Sequence, residues 1–107
     1  MKYKIVLVVA AKSDLREIFR YVELNDSLEH ADNLVNGIEQ AITSLAVMPQ
    51  RGHCPPELDK IGIREFREIH FKQYRIVYSI HENEVIAHCV LDGRRDMQTL
   101  LQQRLLR

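Results

Sequence analysis

An α+β domain in the order β-α-α-β-β-β-α is what this 107-residue sequence predicts. Three observations carry it. "YKIVLVV" at 3–9 is a continuous, β-branched apolar run. Between residues 13 and 48, apolar residues recur at helical spacing in two blocks. "IREFREIHF", "YRIVYSI" and "EVIAHCVLD" are short apolar-rich segments joined by brief turns at 72–73 and 81–84. An antiparallel sheet carrying a helical hairpin on one face is the simplest way to bury these stripes.

In chain order, the run at 3–9 predicts a buried strand. Ser13 offers a helix N-cap with Asp14 in the first turn, and Leu15, Ile18, Phe19 and Val22 form the inward face. "LND" interrupts, and Ser27 offers a second cap. Leu28, Ala31, Leu34, Val35, Ile38, Ala41, Ile42 and Leu45 then hold one stripe until Met48-Pro49 ends it. So short a link predicts an antiparallel helical hairpin. "PQRGHCPPELDKIG" at 49–62 holds all three prolines and two of the four glycines, so it is a loop with one turn at "PEL". In the second strand of the meander, Tyr74, Ile76, Tyr78 and Ile80 face one way, and Arg75, Val77, Ser79 and His81 the other. Gly93 ends the third strand, and Met97, Leu100, Leu101 and Leu105 mark a last helix.

The totals bound the function. A chain of this length is a single domain, 1–107, with enough residues for one core. It has no apolar run near the 18 residues or so of a membrane span, and "IVLVVAA" is too short for a signal peptide. A cytoplasmic protein without membrane partners is expected. Fifteen basic and fifteen acidic residues cancel, yet residues 14–40 are acidic while 60–75 and 94–107 are basic. Zero net charge argues against a protein that lives on polyphosphate, but leaves room for a local cationic patch. Cys54 and Cys89 form no CxxC. Adjacent residues of a strand face opposite ways, so His88 and Cys89 are not expected to share an ion, and neither metal nor cofactor is expected.

Taken together, "DLREIFRYV", "MPQRGHCPPEL", "IREFREIHFKQYRIVYSI" and "VLDGRRDMQTLLQQRLL" resemble the RelE/ParE family of bacterial type II toxins across essentially the whole chain. The resemblance implies a small toxin of the kind found in plasmid-stabilisation systems, neutralised by a cognate antitoxin. Toxin dimers and toxin–antitoxin hetero-oligomers both stay open. It also implies one of two targets. ParE-like members poison DNA gyrase, whereas RelE-like members are ribosome-dependent mRNA endonucleases.

RNA scission through the 2′-OH needs a base, an acid and cations for the phosphate. Arg64, Arg67, Arg75, Arg94 and Arg95 are the candidate target-binding cations. Were the chain RelE-like, Arg67, Arg75, His88 and Arg95 would be the catalytic set, with His70, His81, Glu65 and Glu68 as further proton carriers. The neutral total charge and a last segment, "MQTLLQQRLLR", without aromatic or imidazole favour the ParE branch. A member kept only to bind antitoxin would not arrest growth when expressed alone.

Each candidate also has a plainer reading. Arg94 and Arg95, just before a helix, await an external anion, or one pairs with Asp92 or Asp96. Arg75 and Arg67 are more simply structural, Arg75 pairing with Glu65 or Glu68 across the sheet. His88 is more simply a half-buried imidazole, His81 a turn residue, and Tyr74 and Tyr78 core. The acids Asp14, Glu17 and Glu23 read as a solvated helix face.

Overall fold

A computed structural model describes residues 2–106. The elements are β1 (Lys4–Leu7), α1 (Val9–Asn25), α2 (Leu28–Ser44), a 3₁₀ turn (Pro49–Arg51), α3 (Pro56–Asp59), β2 (Phe66–Phe71), β3 (Tyr74–His81), β4 (Glu84–Asp92) and α4 (Met97–Leu105). The α+β class and the element order are those expected, with α3 falling at the "PEL" turn.

The sheet order is β1-β4-β3-β2. β2, β3 and β4 form the antiparallel meander, but β1 joins the far side of β4 in parallel, Lys4 opposite Glu84 and Leu7 opposite Ala87. The sheet is therefore mixed rather than antiparallel throughout. β1 also stops early. Its ladder ends opposite Ala87, where β4 bulges: His88 is inserted between Ala87 and Cys89, the partners of the adjacent residues Tyr78 and Val77. Val8 makes a last bond to Ala87 O, and Lys12 N already bonds Val8 O, so the helix starts four residues before Ser13. Ala10, Ala11 and Lys12 are good helix formers, and α1 starts without a side-chain cap. Ser27 does cap α2, its Oγ accepting from His30 N at 3.0 Å.

Helices cover both faces. The hairpin face holds Leu15, Ile38, Ile42 and Leu45 against Ile69, Tyr74, Ile76, Tyr78, Val85, Ala87 and Val90. Tyr74 and Tyr78 are core residues, as read. On the other face Leu58 of α3 and Met97 and Leu101 of α4 pack on Phe66, Val77, Cys89 and Leu91. The bulge corrects one argument from the sequence. Ala87 and Val90 both enter the hairpin core. His88, touching Phe66, and Cys89 therefore share the opposite face instead of alternating.

The loop after α2 is locked from inside. Tyr78 Oη donates to Pro49 O at 2.6 Å and accepts from Gly52 N at 3.1 Å, and Arg67 Nη1 donates to the carbonyls of Gln50 and Gly52. Arg67 is thus structural, as expected, but bonds backbone rather than a carboxylate. A Cβ on Gly52 would lie 2.5 Å from Tyr78 Oη and 2.7 Å from Glu68 O, so no larger residue fits without moving the loop. The next residue, His53, pairs its backbone with Glu68 in both directions, at 3.1 and 2.7 Å.

Candidate functional site

The five arginines singled out in the sequence do not form one patch. Arg64 is exposed and pairs with Asp59 at 2.6 Å. Arg67 holds the loop described above. Arg94 forks onto Asp92, Nε to Oδ1 at 3.0 Å and Nη2 to Oδ2 at 2.7 Å, and this bond holds Asp92 below the usual carboxylate range. Arg95 is exposed, with no side-chain hydrogen bond or ion pair found for it among the described residues. Asp96 caps α4 through Thr99 N, so both arginines stand just before the helix entrance. Of the two readings of this pair, Arg94 follows the internal one, and Arg95 stays available to an external anion.

Arg75 is the opposite case, 11% exposed with every donor group engaged. Its Nε and Nη2 reach Glu68 Oε1 and Oε2 at 2.6 and 3.0 Å; its Nη1 and Nη2 reach Glu57 at 2.9 and 2.6 Å. The Arg75 hydrogen bonds pull the Glu57 carboxyl down, and those from Glu57 first, then Glu68, push the guanidinium pKa up. The structural reading of Arg75 holds, with Glu68 as one partner. Glu57, on α3, was not foreseen, because nothing in the local pattern brings that turn over β3.

Around this clamp lies an open cleft of about 400 Å³ lined by His53, Glu68, His70, Lys72, Arg75 and Arg94, among others. Glu68 and His70 share a face of β2 by strand alternation, and His70 stands opposite Arg75. His53 arrives through its backbone bridge to Glu68. His53 Nε2 lies 3.0 Å and His70 Nε2 3.6 Å from Glu68 Oε2. The two rings meet edge to face, centroids 5.6 Å apart. An imidazole pair and a carboxylate therefore converge beside an arginine, which the sequence reading did not assemble. The legible signal was the i, i+2 spacing of Glu68 and His70.

His88 is not part of that cleft. Its Nε2 lies 2.7 Å from Ser79 Oγ, and Ser79 Oγ also contacts His81 Nε2 at 3.0 Å. Burial lowers the His88 pKa, and the ring is a partly buried imidazole hydrogen-bonded to Ser79. Burial also pushes the Cys89 thiol up to about 12. Although the bulge turns both residues to one face, that thiol is poorly suited to metal binding.

Two further concavities matter. One, about 600 Å³, runs between α1, the β3–β4 surface and α4, with Tyr21, Asp92, Arg94, Arg95 and Arg104 on its walls. The other, about 760 Å³, lies along edge strand β1 and is floored by Ile5, Leu7, Leu15, Phe19 and Val35, with Lys4, Lys12 and Arg16 at its rim. Asp14 is not a solvated acid, as the sequence suggested. It accepts from Arg104 at 3.1 and 2.8 Å and from Val90 N at 2.9 Å, tying α1, β4 and α4 together.

This architecture, a mixed four-stranded sheet between a helical hairpin and a terminal helix, is that of small toxins solved with their antitoxins. The chromosomal ParDE TA system from P. aeruginosa contains a chain that superposes with a TM-score of 0.70 at 14% identity, covering 83% of this chain and 94% of that one. A chain of the RelBE2 toxin–antitoxin complex from Mycobacterium tuberculosis gives 0.57 at 20% identity, covering 86% and 92%. The chain belongs to the ParE toxins of type II toxin–antitoxin systems (parDE), whose family pattern matches residues 5–97. Among curated proteins, Toxin ParE3 of Caulobacter vibrioides is 26% identical over 98 residues, 92% of this chain and 94% of that protein. Among the described residues, no helix is long and apolar enough to cross a membrane.

Proposed function

We propose that this toxin acts by binding DNA gyrase, not by cutting RNA, and that its cognate antitoxin silences it. The observation carrying this is the state of Arg75. Its guanidinium donors all go to Glu57 and Glu68, so the imidazoles of the cleft face a centre with two carboxylates and one guanidinium. At the clamp itself a phosphodiester would meet two carboxylates against one fully engaged guanidinium, and of the other cations lining the cleft, Lys72 and Arg94, the latter is paired with Asp92, whereas scission needs cations free to stabilise the phosphate. The likeness to ParE toxins supports the same choice.

The endonuclease reading has one specific observation in its favour: His53, His70 and Glu68 do converge in an open cleft near Arg94. The two readings separate cleanly. In a supercoiling assay with purified gyrase and excess toxin, inhibition or a trapped cleavage complex is expected, with transcripts left intact in a translating extract. Codon-dependent cuts in that extract, with supercoiling untouched, would reverse the assignment.

For the antitoxin, the groove beside β1 is the best-suited surface. β1 is an edge strand, so its outer backbone groups can accept an added strand, while Ile5, Leu7 and Phe19 supply apolar pockets. A segment disordered alone and ordered on this groove fits such a surface. Hydrogen exchange on the toxin–antitoxin complex should show the outward amides of Ile5 and Leu7 slowed at least about tenfold by strand pairing, since Lys4 N and Val8 N already bond toward β4. Unchanged exchange there would remove β1 as the docking edge.

A further inference from the structure

We infer that His53, Glu68 and His70 form a binding site for one divalent transition-metal ion of the zinc class. The three ligand atoms lie within 4.8 Å of one another. Two of the separations, 3.0 and 3.6 Å, already bracket the roughly 3.3 Å edge of a tetrahedron whose metal–ligand bonds are about 2.0–2.1 Å. Two imidazoles and one carboxylate are a donor set that suits zinc and leaves a fourth position for water.

The site is supported from behind. Glu68 is 1% exposed, and Arg75 fixes its plane by bonding both oxygens. Oε2 accepts one bond from Arg75 Nη2 and keeps a lone pair for the metal. The Arg75 charge is in turn offset by Glu57, so Glu57, Arg75 and Glu68 together carry net negative charge, which favours a cation. Lys72 and Arg94 line the same cleft and oppose it, though Arg94 is paired with Asp92 and the Lys72 ammonium lies over the Phe71 ring.

The imidazoles themselves are accessible, His53 63% and His70 52% exposed, so an ion has an entry path. Both ride on rigid backbone, His70 in the β2–β3 ladder and His53 in its two-bond bridge to Glu68. On binding, the metal takes the place of the proton between His53 Nε2 and Glu68 Oε2, and the ring proton sits on Nδ1. The ion would then pin the 49–62 loop to β2 on the sheet face away from the helical hairpin.

The test uses untagged toxin, stripped with a chelator and titrated with zinc chloride in a calorimeter. One ion per chain is expected, with a rise in thermal midpoint when zinc is in excess. His53→Ala and His70→Ala should each weaken binding about tenfold or more, since even loss of a group behind a ligand costs that much. His30→Gln and Cys54→Ser should bind as the parent does. In the parent protein, nitrogen resonances of the His53 and His70 rings should shift with zinc while those of His88 stay put, a readout independent of any variant. Absence of saturable binding, parent-like affinity in either histidine variant, or loss of binding in Cys54→Ser would each overturn the assignment.

Discussion

Arg75→Ala is expected to cost about 3–5 kcal/mol of folding free energy, because it strands the Glu68 carboxylate, 1% exposed, without its cation. At about 4–8 °C per kcal/mol for a domain near this size, the thermal midpoint should fall by at least about 12 °C. Glu57, at 21% exposure, can hydrate and adds less. Removing both charges is the informative control. Glu68→Leu with Arg75→Met replaces the buried pair by apolar groups of similar length and should recover most of the loss. Urea melts of the three proteins measure this. A loss under about 1 kcal/mol in Arg75→Ala would mean that the clamp is solvent-screened like a surface pair. The result also bears on toxicity assays, since a harmless Arg75→Ala toxin would be an unfolded one before it was a catalytically dead one.

Asp14→Ala should cost about 3 kcal/mol. It leaves Arg104, 25% exposed, without its fork and leaves Val90 N–H without an acceptor. An unsatisfied buried donor alone costs about 1–3 kcal/mol, and a charge-assisted bond about 1.5–3 kcal/mol. Asp14→Asn keeps an acceptor for Val90 and should cost roughly half as much. A cycle with Arg104→Ala, read by thermal melts, should show coupling of at least about 1 kcal/mol. Strict additivity would mean that the two side chains do not hold each other. Asp14 also explains how β4 tolerates a neighbour as short as β1. Past Ala87 the edge of β4 has no strand beside it, and the carboxylate supplies the acceptor that a longer β1 would have offered.

What was legible in the sequence follows the range of the forces involved. Ser27 as a cap, the hairpin stripes, the inward tyrosines of β3 and the meander turns all depend on residues within a few positions of one another. The Arg75–Glu68 pair was legible for the same reason, since strands joined by a two-residue turn have a calculable register. Apart from the early start of α1, the misreadings are nonlocal. β1 pairs with β4 across most of the chain. Asp14 and Arg104 lie 90 residues apart. His53 reaches Glu68 through a loop whose prolines and glycine announce a turn but not its direction. The bulge at His88 and Cys89 is a subtler failure. Alternation is a sound rule for a regular strand, and one extra residue reverses it for everything beyond.

The parallel pairing of β1 with residues 84–87 sets a condition on biosynthesis. β1 leaves the ribosome some eighty residues ahead of its partner, so the nascent chain cannot close this sheet until β4 has been made. Until then the apolar side chains of Ile5 and Leu7 stand open beside an unpaired backbone. A chain cut short before β4 therefore lacks the surface against which its own beginning folds, and would be both harmless and sticky.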